Sequence, residues 1–187
     1  MSDLLDADVW VALVAADHVH HERALHYWRE ESAETVACCR VTVLAFLHLI
    51  TDAHVMQHAV LIGTEAWALL QEWLTLPEGS FLDEPVDLDD QLGQLSRVMS
   101  IRPKLWTDAY LAAFATAGGH RIVTLEGDFP RFPGLDLLLL QERPAAVAVR
   151  RCDAGAQFAQ PGTAAGIALR VGGRQVGAIS IPHGIIA

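Results

Sequence analysis

Five short apolar runs punctuate the chain: Leu4-Leu5, Thr35 to Cys38, Ser80 to Leu82, Arg121 to Thr124 and Leu137 to Leu140. None is long enough for a helix. Longer segments with helical spacing separate them. Val9 to Ala16 reads as helix, followed by a second from a cap at Asp17 through Trp28. Val41 to Ile50 is an apolar helix, and Glu65 to Leu74 is amphipathic with Trp67, Leu70 and Leu74 on one face. Asp87 and Asp90 resemble a capping box for a helix to Met99. Thr107 caps a further helix that ends at Gly118-Gly119. Short strands alternating with longer helices specify an α/β fold. The expectation is a doubly wound parallel sheet of four to five strands flanked by helices.

Charge and composition divide the chain. Up to Glu142 there are 8 Lys and Arg against 22 Asp and Glu; from Arg143 onward there are 5 Arg against one Asp. An acidic body lacks the basic face of a standard nucleic-acid binder. Beyond Gln141, Pro, Ala, Val and Gly replace helix formers, and 7 of the 14 glycines follow Arg143. Ile167, Leu169 and Val171, then Gly172-Gly173, then Val176, Ala178 or Ile179, and Ile181 suggest a hairpin. Residues 1–142 are therefore read as one domain and 143–187 as a β-rich appendage. The acidic start shows no secretory signal, and no apolar run approaches the ~20 residues that span a bilayer. Cys38, Cys39 and Cys152 form no paired or zinc-type spacing, so a reduced cytoplasm is the expected setting.

In a parallel α/β sheet, ligands bind beyond the carboxyl ends of the strands. Asp6 directly follows the first strand. Glu126 follows the fourth by two residues, with Asp128 close behind. Asp108 stands in the first turn of the helix that returns to that strand, and this helix starts at the same edge. Carboxylates from distant parts of the chain are thus expected to meet. Two of them ~4 Å apart repel by about 4 kcal/mol at an effective dielectric of 20. A hard divalent cation relieves that repulsion and suits phosphoryl chemistry.

Each acid also has a purely structural reading. Asp108 complements a helix dipole, Asp6 or Asp8 caps the first helix, Glu126 belongs to a turn, and Asp128 is solvated. Only the topology joins Asp6, Asp108 and Glu126. His18, His20 and His21 fit no common zinc spacing and read as surface histidines. No nucleophile elbow, Walker loop or dinucleotide fingerprint is present. The five tryptophans read as core or interface residues.

Several segments resemble, in order, those of the VapC toxins, which are PIN-domain ribonucleases. Leu4-Leu5-Asp6-Ala7-Asp8-Val9-Trp10 is similar to their opening, and Asp17-His18-Val19-His20-His21 to the next helix entry. Cys39 to Phe46, Thr107 to Ala113, Thr124 to Phe129 and Arg131 to Leu135 continue the likeness to about Leu140. The resemblance implies a PIN fold and a metal-dependent endoribonuclease acting on RNA, commonly transfer RNA. It also implies a VapB antitoxin and a homodimer. Asp6, Asp108 and Glu126 would be catalytic and, with Asp128, would hold Mg²⁺ or Mn²⁺, Asp8 assisting. Two positions depart from the family pattern. Val43 stands where a metal-binding Glu is expected, facing the acids from the first turn of its helix. Glu126 replaces an Asp. The competing reading is a decayed PIN-fold module that keeps antitoxin or dimer binding. A structure-specific DNA nuclease ranks last, because the chain is too short for extra DNA-gripping elements.

Overall fold

A computed structural model describes residues 2–141, 166–171 and 174–180 of the protein. The strands are β1 (Asp3–Leu5), β2 (Val36–Cys38), β3 (Gly79–Phe81), β4 (Arg121–Thr124) and β5 (Leu137–Leu139). The helices are α1 (Ala7–Val14), α2 (His21–Glu30), α3 (Arg40–Thr51), α4 (Ala53–Met56), α5 (Gly63–Leu74), α6 (Leu88–Val98) and α7 (Trp106–Gly118). The five strands form one parallel sheet in the order β3-β2-β1-β4-β5. The α/β architecture expected from the sequence is therefore present, with five strands.

Side chains on a strand alternate between its faces, so each central strand feeds two cores. Leu5, Val36, Cys38 and Val123 enter the core beneath α1, α2, α3 and α5. Leu4 and Ile122 enter the other, beneath α6 and α7. The central strands β1 and β4 are almost wholly buried, which explains why they read as short, near-continuous apolar runs. α7 ends at Gly119, whose φ of 66° is the left-handed conformation that closes many helices.

A third strand residue carries a charge. Asp3 is fully buried at the start of β1. Arg121 donates to it from both Nε and Nη2 at 2.8 Å, Tyr27 donates its hydroxyl at 2.6 Å, and the Ala33 amide donates at 2.9 Å. This network ties β1, β4 and α2 together at the amino edge of the sheet. Burial and the Asp3 carboxylate push the Tyr27 hydroxyl far above its usual range, so it serves only as a donor.

Several local expectations change. α2 begins at His21, and Asp17 is an exposed turn residue paired with His58 at 3.0 Å instead of a cap. Asp87 occupies the cap position of α6 but makes no side-chain capping bond. α7 starts one residue before Thr107, with no side-chain cap. On α5 the buried face is Ala66, Leu69, Leu70 and Trp73, whereas Trp67 is 50% exposed. Trp67 and Trp73 are six residues apart in sequence, about 120° around the helix, so one indole is buried and the other is not, and apolarity alone did not define the face. β6 (Gly166–Val171) and β7 (Arg174–Ser180) pair antiparallel, closing on Val171 opposite Arg174. The Gly172-Gly173 turn and the 142/143 boundary lie outside the described residues.

Candidate active site

Strand order reverses between β1 and β4, because β2 and β3 lie on one side of β1 and β5 lies beyond β4. At such a switch point the two connections leave in opposite directions and open a crevice at the carboxyl edge. Asp6 follows β1 there, and Glu126 follows β4. α7 runs antiparallel to β4 and brings Asp108 to the same edge in its first turn.

Asp6 is held by both carboxylate oxygens. It caps α1, one oxygen accepting from the Ala7 amide at 2.7 Å. The other accepts from the Thr124 hydroxyl at 2.8 Å. The cap therefore belongs to Asp6, and Asp8 stands in the first turn behind it. Thr124 is fully buried, and its hydroxyl also accepts from the Glu126 amide at 3.0 Å. One threonine at the end of β4 thus orients Asp6 and the backbone that carries Glu126. The sequence reading missed this positioning residue. A hydroxyl at the last strand position, flanked by acids on both sides of the crevice, was the available signal.

The electrostatics fit an anionic cluster. Asp6 is raised to about 6, chiefly by burial, with the charges of Asp8 and Asp108 adding to it against the Thr124 and Ala7 hydrogen bonds. Glu126 is raised to about 7, first by partial withdrawal of its carboxyl from water, then by Asp6, Asp108, Asp8 and Asp128. Glu126 as a whole residue remains exposed. Asp108 is raised by burial and by Asp128. The expected residues Asp6, Asp108, Glu126 and Asp8 thus share one field. Asp128 differs, because Arg131 pairs with one of its oxygens and Lys104 approaches the other at 3.8 Å.

Among the described residues, no three His, Cys, Asp or Glu side chains already stand at metal-holding separation. The acids share the carboxyl edge of the sheet and feel one another's charge. Val43 does not face them. It is 2% exposed, packs in the core with Trp10 and Phe46, and borders a small apolar cavity. The first turn of α3 carries no acid. The His18, His20 and His21 run is engaged locally: His21 Nδ1 lies 2.7 Å from the Ala12 carbonyl, and His18 Nδ1 accepts from the His20 amide at 3.2 Å.

Residues 4–135 match the family model of the PIN domain. Ribonuclease VapC41 of Mycobacterium tuberculosis is 34% identical over 151 residues, covering 73% of this chain and 97% of that protein. The chain belongs to the VapC family of PIN-domain proteins. VapBC2 of Rickettsia felis, solved bound to a promoter DNA fragment, superposes with a TM-score of 0.53 at 16% identity, covering 74% of this chain and 98% of that one. Mycobacterium tuberculosis VapC20, described as a Sarcin-Ricin loop cleaving toxin, gives 0.52 at 19% identity, covering 69% and 93%. At these identities the two structures speak for the fold. Within the VapC fold, the matched segment ends before β5, so the family likeness covers every carboxylate of the crevice.

Two measurements address this site. Thr124→Val should lower RNA cleavage about tenfold at neutral pH while costing only about 1 kcal/mol of stability. The Thr124 bond holds the Asp6 pKa down, so part of the loss should return as pH rises. A loss that is flat with pH would remove Thr124 from the positioning role. The raised carboxyls also bear on stability. A folded-state pKa above the unfolded value means that the native state holds the extra proton. Stability therefore falls as pH rises from about 4 through about 7. Without divalent metal, Asp6→Asn/Glu126→Gln should lose less melting temperature than wild type between those limits. Parallel curves for the two proteins would contradict the shared field.

Proposed function

We propose that this chain is the ribonuclease toxin of a VapB–VapC type pair, a Mg²⁺- or Mn²⁺-dependent endoribonuclease that hydrolyses RNA phosphodiester bonds. The carrying observation is the set of raised carboxyls, Asp6, Asp108 and Glu126, around the β1/β4 switch point. The likeness to the M. tuberculosis ribonuclease VapC41 supports the ribonuclease reading. The R. felis neighbour was solved as a VapBC2 assembly, which supports a VapB-like antitoxin as partner. A homodimer belongs to the same proposal, as does a cytoplasmic setting; no helix among the described residues is long and apolar enough to cross a membrane.

The donor set fits a hard cation: all its ligands are carboxylate oxygens, and the nearby Lys104 and Arg131 pair with Asp128 instead of with them. Asp6, Asp108 and Glu126 would hold the metal, with Asp8 as the fourth acid where Val43 supplies none. A bound divalent ion lowers the pKa of water and stabilises charge on a phosphodiester. The chain itself supplies orientation. The Ala7 amide and Thr124 hydroxyl fix Asp6, and Thr124 fixes the turn carrying Glu126. Asp128, clamped by Arg131 and Lys104, is better suited to hold those cations than to ligate a metal. Transfer RNA and the sarcin-ricin loop are the substrates to assay first.

The missing acid in α3 also favours a second reading, a decayed module that retains antitoxin or dimer binding. Metal binding separates the two. Mn²⁺ should raise the melting temperature, by roughly 2.7 kcal/mol of stabilisation at a hundredfold excess over Kd. Asp108→Ala should remove most of that. Calorimetry showing no heat that depends on Asp6 or Asp108 would leave the decayed module standing.

A further inference from the structure

An acidic body must still grip a polyanion if it cuts RNA. Up to Glu142 the chain has 8 cationic side chains. Arg121 is committed to Asp3 and Arg23 pairs with Glu31 at 2.9 Å. Lys104 and Arg131 are placed differently. Both approach Asp128, so two cations share one ion-pair partner at the edge of the crevice. Both also act on Asp108, partly offsetting the rise that its burial and Asp128 cause.

Trp106 stands between these groups in sequence and is the first residue of α7. It lies two residues after Lys104, which belongs to the short helical turn before α7, and two before Asp108 in the first turn of α7. Trp10, Trp28 and Trp73 are buried at 6–8% exposure, whereas Trp106 is 49% exposed. Leaving half an indole in water forgoes burial energy that the other three collect. The other half-exposed tryptophan, Trp67, lies on α5 in the opposite helical layer.

We infer that Trp106, Lys104 and Arg131 form a landing site for single-stranded RNA at the edge of the crevice. The indole stacks an unpaired base, and the two cations take the adjoining phosphates. Duplex bases are already stacked and present no free face, so the site selects loops and unpaired ends. Asp128 holds the cations in position. This inference rests on the ribonuclease reading above.

The test is binding of a short labelled 2′-O-methyl RNA, which is not cleaved, to the full chain in chelator at low salt. Trp106→Ala should bind about tenfold more weakly, and Trp106→Phe, which keeps a stacking face, within about twofold of wild type. Trp67→Ala should bind as wild type. Lys104→Ala and Arg131→Ala should each reduce the slope of log K against log salt by about 0.7. With cleavable RNA, Trp106→Ala should raise KM and leave kcat nearly unchanged. Melting curves check that each variant is folded. Unchanged binding in Trp106→Ala overturns the inference while leaving the ribonuclease reading intact. So does equal loss in the Ala and Phe variants, or a Trp106→Ala effect on oligomeric state alone. A wild-type chain that neither binds nor cleaves RNA overturns both.

Discussion

Asp6→Asn should reduce RNA cleavage about a thousandfold, on the order of 4 kcal/mol of transition-state stabilisation, with the fold intact. Asparagine caps a helix as well as aspartate does, so the Ala7 amide keeps its acceptor. The amide group has nearly the same shape and can still meet Thr124. The substitution therefore removes charge and little else. It also relieves Asp8, Asp108 and Glu126 of a neighbouring anion, so the metal-free melting temperature should hold or rise. Asp6-dependent Mn²⁺ heat should disappear. Cleavage of total cellular RNA and a melting curve on the same preparation decide the outcome. Activity within tenfold of wild type would place the chemistry elsewhere.

Val43→Glu should destabilise the protein by about 3–5 kcal/mol and create no gain of cleavage. The sequence reading pointed the other way, because a glutamate at this position was expected to complete the acid set. Val43 instead lies in the core with Trp10, Phe46 and Trp73. A carboxylate there meets apolar side chains and no cation. Trp10 and Trp73 do have buried indole N–H groups without acceptors among the described residues, which limits the penalty without cancelling it. A loss of that size in a chain of this length lowers the melting temperature by roughly 10 °C. A variant that stays stable and cleaves faster would show that α3 turns this position toward the acids after all.

Local pattern carried much of the fold. The short runs around Leu4, Ala37, Ile122 and Leu138 read as strands because buried parallel strands show few polar interruptions. The helices between them read as helices because their apolar residues recur at helical spacing. Boundaries slipped by a residue or two where caps were read from residue type. Thr107 and Asp17 have the right chemistry for caps, but the chain enters its helices elsewhere. The acids were legible for a topological reason. A residue just past a parallel strand, or in the first turn of the helix returning to it, has to lie at the carboxyl edge.

Alternation of short strand and helix, read from the sequence alone, determined a parallel α/β sheet and placed Asp6, Asp108 and Glu126 at one edge of it. Both follow from local spacing and from the direction of the chain. Only the tertiary structure decided which strands are neighbours. The pairing of β1 with β4 joins Asp6 to Thr124 and Asp3 to Arg121 across 118 residues of sequence. It also decided which way ambiguous side chains face: Val43 inward, Trp67 and Trp106 outward, Asp128 toward two cations. Those outcomes depend on which surfaces pack together, and that is set by contacts between distant segments with no mark in the residues of either one.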